Sequence, residues 1–467
     1  PLSSLLALVG IEVNNPEHLI PDYVAMCFIA AGLLILFFSL SSRKPQLIPS
    51  KLQNVMELII QFFESLLSDL IGEEGKKYLP LVGTIGLFIL AALGATYYME
   101  HNGHWVTGMT NQVVWGTPHV FAVFLSVAAS GALNVASISS VFGKTPYKPL
   151  ARLSGLLAIT LLVGGLAVLV LDLGRPDRLI VAMTYYNFKS IFAWNIILYI
   201  GFMAVVAIYL WMMMERKMNN YTKSVGFFAF IWRLILTTGT GSIFGFLVAR
   251  HAYDAAVMAP MFIIMSFAYG LAIFILVLMA ACKWDDRPLG DAILMKLKNL
   301  LGVFIGAVLY FVMVYHLTNL YITEHHGFER FVLLDGGVYT TLFWVVQIGL
   351  GSLLPLALLY LPATGRSRSW ISVASLLVII GGLAQMYVII IGGQAYPMDL
   401  FPGKEVSSTF FDGVVASYSP SLPEVILGVG GISLALAATF VGIRVLRFLP
   451  TSLADEAVDP HTASKAA

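Results

Sequence analysis

Eleven stretches of this chain are apolar over roughly the 20 residues that carry a helix across a bilayer. They lie near residues 22–41, 80–98, 114–137, 153–172, 190–213, 226–249, 258–281, 299–319, 338–361, 371–392 and 425–447. Nothing in hydrocarbon hydrogen-bonds a bare backbone group, and a helix satisfies all of its own. The expectation is therefore an all-α integral membrane protein with about eleven transmembrane helices. Composition agrees: 58% of residues are hydrophobic and 11% charged, against about 25% charged in soluble domains. Residues 50–71 break the pattern. Leu52, Val55, Met56, Ile59, Phe63 and Leu66 recur with helical spacing between Gln53, Glu57, Glu64 and Asp69, which predicts one amphipathic helix lying in the interface.

The loops sort by charge. One side of the predicted membrane carries 21 of the 27 Lys and Arg, from Arg43 through Arg152, Arg216, Arg233 and Arg287 to Arg447. The other carries six: Arg175, Arg178, Lys189, Arg250, Arg330 and Lys404. Basic loops stay cytoplasmic, which places the N-terminus outside and the C-terminus inside. Arg175, Arg178 and Arg250 stand beside Asp172, Asp177 and Asp254, a pattern expected of local ion pairs. Seven of the nine His fall on or near the outer side, so chemistry is expected in the outer half of the membrane.

Some classes are excluded. The two cysteines, Cys27 and Cys282, cannot supply a disulfide framework, a CxxC metal site or a cysteine-held cluster. No CxxCH is present for covalent haem. A net charge of +1 gives no sign of nucleic-acid binding. The first residue is Pro, so a missing or processed start is expected.

Two ionisable residues on consecutive spans stand out. Asp172 closes the apolar stretch Leu157–Leu171 and opens Asp172-Leu173-Gly174-Arg175-Pro176-Asp177-Arg178. A carboxylate at the end of such a run is costly, and chains keep one for protons, ions or polar ligands. Its alternative is a structural ion pair with Arg175 or Arg178. His119 lies in Trp115-Gly116-Thr117-Pro118-His119, four residues from Trp115 and so on one helix face with it. An imidazole both accepts and donates protons near neutral pH; the alternative is a hydrogen bond to a neighbouring helix. In Arg250-His251-Ala252-Tyr253-Asp254 one helical turn would gather a proton route or a plain salt bridge. Asn111 and Gln112 suit a carbonyl ligand or a helix cap. His316 and Asn319 suit a helix–helix hydrogen bond better than a metal or haem, and no metal site is expected.

Two resemblances meet inside the second span. Residues 1–88 resemble the start of the ATP synthase a subunit, through Asn15-Pro16-Glu17-His18-Leu19, Pro49-Ser50-Lys51-Leu52-Gln53-Asn54-Val55-Met56-Glu57 and Gly75-Lys76-Lys77-Tyr78-Leu79-Pro80. The late helix with that family's essential Arg is absent from the chain, so no rotor function is implied. From about Ala91 the chain resembles membrane subunits of the polysulfide reductase/NrfD type. Within that type it is most similar to the ten-span branch of the sulfite-reduction-associated (Dsr) and high-molecular-weight cytochrome (Hmc) complexes. The carriers are Met99-Glu100-His101-Asn102-Gly103-His104, Gly108 to Gly116, Ala129 to Val135, Asp172 to Arg178, Tyr186 to Ser190, His316 to Tyr321, Asp335 to Tyr339 and Ile391 to Pro397. The domains read as 1–88, an a-subunit-like segment; 89–450, a quinone-interacting membrane domain; and 451–467, a cytoplasmic tail. A natural fusion or an artefactual junction would both give this join.

The second resemblance implies a core of two four-helix bundles, roughly spans 114–249 and 258–361. It implies exchangeable menaquinone or ubiquinone near Trp115, His119, Asn111 and Gln112, with His119 and Asp172 taking the protons. Asp172, Arg175, His251 and Asp254 would form a proton route. No cofactor is bound covalently on this reading. Electrons would pass through an iron–sulfur, ferredoxin-like partner subunit, often accompanied by cytochrome subunits, in the cytoplasmic membrane of a bacterium or archaeon and in contact with membrane lipid. The alternatives are a proton- or ion-translocating subunit, for which Ser126, Ser130, Asn134, Ser137 and Ser139 form a candidate half-channel, and a non-catalytic anchor.

Overall fold

The computed structural model describes residues 51–398, 401 and 413–458; the predicted span at 22–41 lies outside them. The other ten spans form as helices long and apolar enough to cross a membrane. The amphipathic segment folds as α1 (Lys51–Ile71), with Phe63 and Leu67 buried and Leu58, Phe62 and Leu70 exposed. An exposed apolar stripe on a partly polar helix suits the membrane interface.

The spans are α2 (Leu79–Asn102), α3 (Thr117–Ser140), α4 (Ala151–Leu171), α5 (Ile191–Met214), α6 (Thr222–Gly245), α7 (Met258–Trp284), α8 (Asp291–Tyr321), α9 (Val338–Tyr360), α10 (Arg368–Ala395) and α11 (Leu422–Leu446). Helices α3 to α6 make the first bundle. The second takes α7, α8, α9 and also α10, which the sequence range 258–361 left out. Helix α3 packs along α7, and α11 lies across α2, α3 and α4. The expected boundary at residue 88 falls inside the single helix α2.

Small residues set the joint between the bundles. A Cβ on Gly131 of α3 would fall 1.6 Å from the Ser266 carbonyl of α7, and one on Gly270 would meet the Gly131 backbone. Between apolar helices, close backbone approach of this kind replaces the hydrophobic effect as the source of association. Helix α3 breaks at Leu133. Ser154 of α4 mends the break, its hydroxyl donating to the Ala132 carbonyl (2.7 Å) and accepting from the Ala136 N–H (3.0 Å).

Candidate functional site

Helix α4 runs out at Leu171, and Asp172 is its C-cap, with its N–H on the Val168 carbonyl. Helix α3 begins at Thr117 with Pro118 in its first turn, where the missing N–H does no harm. Because α3 packs along α4, the start of one helix meets the end of the other. His119 Nδ1 then lies 2.9 Å from Asp172 Oδ2. The Asp172 side chain is 0% exposed and that of His119 18%. The contact has ion-pair distance without hydrogen-bond direction: neither carboxylate oxygen accepts a hydrogen bond from protein. A buried carboxylate so poorly supported costs several kcal/mol. What opposes that cost is His119 and the positive end of α3.

Of the two expected partners for Asp172, neither arginine takes the place. Arg175 grips Asp177 through two hydrogen bonds of 3.0 Å, and both side chains are exposed. That grip holds the Asp177 carboxyl below its ordinary range. The turn after Asp172 instead lies against His104, which a Cβ on Gly174 would touch at 3.7 Å. His104 Nε2 is 3.7 Å from Glu100. Both side chains are partly exposed.

Trp115 lies beside the pair. Its ring stacks near that of His119, with centroids 6.2 Å apart, and Phe192 and Phe244 meet its edges at 6.0 and 5.9 Å. Two clamps fix the backbone that carries it. Gln394, at the end of α10, accepts from the N–H groups of Val114 and Trp115 and donates to the Trp115 carbonyl, all at 3.0 Å. Glu424, at the start of α11, accepts from Gly108 N–H (2.8 Å), Ser421 N–H (2.7 Å) and the Tyr418 hydroxyl (2.7 Å). Tyr418 in turn accepts from Thr117 N–H, an otherwise free donor of the first turn of α3. Gly116 makes room for this clamp, since a Cβ there would fall 2.4 Å from Glu424 Oε1.

Arg250 belongs to the same scaffold. The expected salt bridge to Asp254 does not form; the guanidinium donates to the carbonyls of Gln394 (2.8 Å) and Gln112 (3.0 Å). Burial lowers its pKa. Asn111 and Gln112 are brought to a different place from His119. They line an open cleft of about 340 Å³ with Thr110 and Val414 to Ser417. His251 and Asp254 make no hydrogen bond or ion pair with Asp172; His251 stacks on His325 at 5.8 Å. The sequence reading missed Gln394, Glu424 and Tyr418. Gln394 stands within one of the family-like motifs, but no periodicity marks a side chain that bonds backbone of a remote segment.

Arg233 is also misplaced by the loop count. It sits near the middle of α6, fully buried, between the rings of Phe230 and Phe267 at 4.9 Å each. Its one acceptor is the Ser130 carbonyl at 3.3 Å, its Nε has no partner, and no carboxylate among the described residues pairs with it. The serine row on α3 leads to this guanidinium. Ser137 and Ser139 spend their hydroxyls on carbonyls of their own helix. Among the described residues no three His, Cys, Asp or Glu side chains converge as a metal site.

The fold is thus that of a multi-pass, all-α integral membrane protein with a buried His–Asp pair at one end of its first bundle. The chain belongs to the NrfD polysulphide reductase family, whose description matches residues 105–397, more than half of its length. It is 28% identical over 386 residues to the Hdr-like menaquinol oxidoreductase integral membrane subunit of Archaeoglobus fulgidus, covering 82% of this chain and 96% of that one. It is 26% identical over 409 residues to a putative dimethyl sulfoxide reductase membrane subunit of Halobacterium salinarum, covering 80% and 92%. A short stretch of 77 residues is 44% identical to the ATP synthase a subunit of Hydrogenobaculum, covering 16% of this chain and 33% of that protein.

Proposed function

We propose that this chain is the quinone-reacting membrane subunit of a multisubunit respiratory or sulfur-metabolism oxidoreductase. It exchanges electrons between membrane menaquinol or ubiquinol and an iron–sulfur partner subunit, with or without cytochromes. The observation that carries the reading is the buried His119–Asp172 pair beside Trp115. A quinol gives up two protons with its two electrons, and each proton needs an acceptor in place. His119 accepts one at its imidazole, and Asp172 at 2.9 Å stabilises the imidazolium or takes the proton itself. Trp115, Phe192 and Phe244 supply flat apolar faces for the ring. The name of the Archaeoglobus relative, a menaquinol oxidoreductase subunit, agrees with this chemistry.

Proton exit runs through Glu100 and His104 to the outer face of a bacterial or archaeal cytoplasmic membrane, with the C-terminus cytoplasmic. Arg233 favours that direction, because an unpaired buried cation opposes proton passage deeper into the first bundle. The a-subunit-like segment through residue 88 is accessory in this reading.

Asp172→Asn tests the proposal. It keeps shape and removes the base. Quinol turnover in the assembled complex should fall by roughly 10²-fold or more. Unaltered turnover would reduce the chain to an anchor; a change confined to proton flux in quinone-free vesicles would make it a translocator.

A further inference from the structure

The second bundle repeats the motif of the first at the same end of the molecule. His316 Nδ1, in the last turns of α8, lies 2.6 Å from Glu329 Oε2. The Glu329 side chain is 0% exposed, and that of His316 14%. Asn319 donates to the other Glu329 oxygen at 2.8 Å and contacts His325 Nδ1 at 3.2 Å. His325 stacks on the partly exposed His251. Hydrogen bonds therefore run from the buried carboxylate to His325, whose ring stacks on His251 of the 250–254 segment.

Polar groups continue beneath His316. A cavity of about 20 Å³ is bounded by His316, Tyr315, Phe343, Gln347 and Gln385 among others. A second, of about 10 Å³, shares Gln347 and Gln385 and adds Tyr269 and Ser352. Tyr269 donates to Gln385. One water needs about 10–15 Å³ of such space and two to four polar partners. The cavities therefore take one or two waters and leave no room for a quinone ring. Three segments of the described chain wind as π-helix: Phe331–Asp335, Leu342–Leu353 and Val388–Gly392. Each lends residues to the larger cavity: Val332, Phe343 with Gln347, and Val388 with Ile389. A π-turn is costly and concentrates at functional sites.

From these observations we infer that His316 and Glu329 form a second proton-binding site, separate from the His119 site. It exchanges one proton with the outer face through His325 and His251, and with waters held by Gln347 and Gln385. With neutral His316 donating to ionised Glu329 the pair carries one negative charge in an apolar bundle. One more proton on the pair would neutralise it. The charged and titratable groups facing the pair are Tyr315 on α8 and, around His325, His251, Asp254 and Glu324.

The test is infrared difference spectroscopy across pH steps on the full chain in lipid vesicles, in H₂O and in D₂O. Wild type should show one deuterium-sensitive neutral-carboxyl band on acidification. The band should vanish in Glu329→Gln, shift in His316→Gln, and lose its fast exchange in Gln385→Leu. It should persist in Asp172→Asn, which separates this site from the quinol proposal. Spectra identical in wild type and Glu329→Gln, in both the neutral-carboxyl and the imidazole regions, would show that the pair takes up no proton, and the inference would be overturned. Should Glu329→Gln fail to fold, a band unmoved in His316→Gln overturns it equally.

Discussion

Gln394→Leu isolates the part of the site that touches no substrate. The amide holds three backbone groups of a segment one whole bundle away: the N–H of Val114, the N–H of Trp115 and the Trp115 carbonyl. Leucine fills a similar volume and satisfies none of them. A buried polar group left without its partner costs about 1–3 kcal/mol. Val114 is exposed and its N–H recovers water, whereas the Trp115 groups are half-buried. The segment should lose about 2–4 kcal/mol of anchoring, or roughly a 30- to 700-fold rise in local opening. Arg250 bonds the Gln394 main-chain carbonyl, so it stays in place and the loss is confined to the side chain. Hydrogen–deuterium exchange of peptides spanning residues 112–117 should accelerate accordingly. Quinol KM should rise more than kcat falls, because Trp115 loses its place while His119 and Asp172 keep theirs. Gln394→Glu, which keeps the acceptor oxygen, should lie between. Unchanged exchange over 112–117 in a folded Gln394→Leu protein would refute the clamp.

His119→Ala should abolish quinol-dependent electron transfer while the complex still assembles, seen by co-purification of partner subunits; normal turnover removes His119 from the site. Deleting residues 1–72 takes away α1 and keeps α2, so quinone binding and partner association should be nearly unchanged. A truncated protein that inserts normally but fails to bind quinone would make the segment part of the working unit. His325, in the loop after α8, has its pKa lowered by burial and then by His251. Its unfolded pKa is about 6.5, so its contribution to stability is present above that value and is lost as pH falls below it. The melting temperature should drop on acidification through this window, and His325→Gln should flatten the profile.

How much the sequence disclosed follows from the range of each interaction. A span is a local property of composition, so ten of the predicted helices appear where expected, and Asp172 ends α4 as its position in the apolar run implied. His119 and Asp172 were each legible because either is costly at an apolar helix and their spans are consecutive, while their pairing was implied only by the family resemblance. The geometry of the pair was not legible, since the competing partners Arg175 and Arg178 stand nearer in sequence. Short-range charge proximity misled twice more, at Arg250 and Asp254, and at Arg233, counted with a basic turn although it lies mid-helix. Glu329 escaped notice for the opposite reason. It sits among charged loop residues in sequence, and folding buries it against His316. Gln394 and Glu424 act on backbone groups 279 and 316 positions away, and no local pattern reports such a bond.

The two bundles carry different groups below their His–carboxylate pairs. Each begins with an imidazole against a buried carboxylate, at 2.9 Å in the first and 2.6 Å in the second. Below the first pair the path closes. Ser130 turns its carbonyl to Arg233 and accepts from Thr237, and the guanidinium stands there with no anion among the described residues to offset it. A proton moving down that row would approach a fixed positive charge in low dielectric, where the repulsion is least screened. Below the second pair no arginine intervenes among the described residues. Gln347, Gln385 and Tyr269 offer both donors and acceptors toward the middle of the helices. On the proposed function, the first bundle releases protons at the end where they arise. On the inference drawn for His316 and Glu329, the second holds one proton and exchanges it with the outer face and with deeper water. The contrast rests on Arg233 of α6, a cation at mid-length in the first bundle, where α9 and α10 of the second carry the amides Gln347 and Gln385.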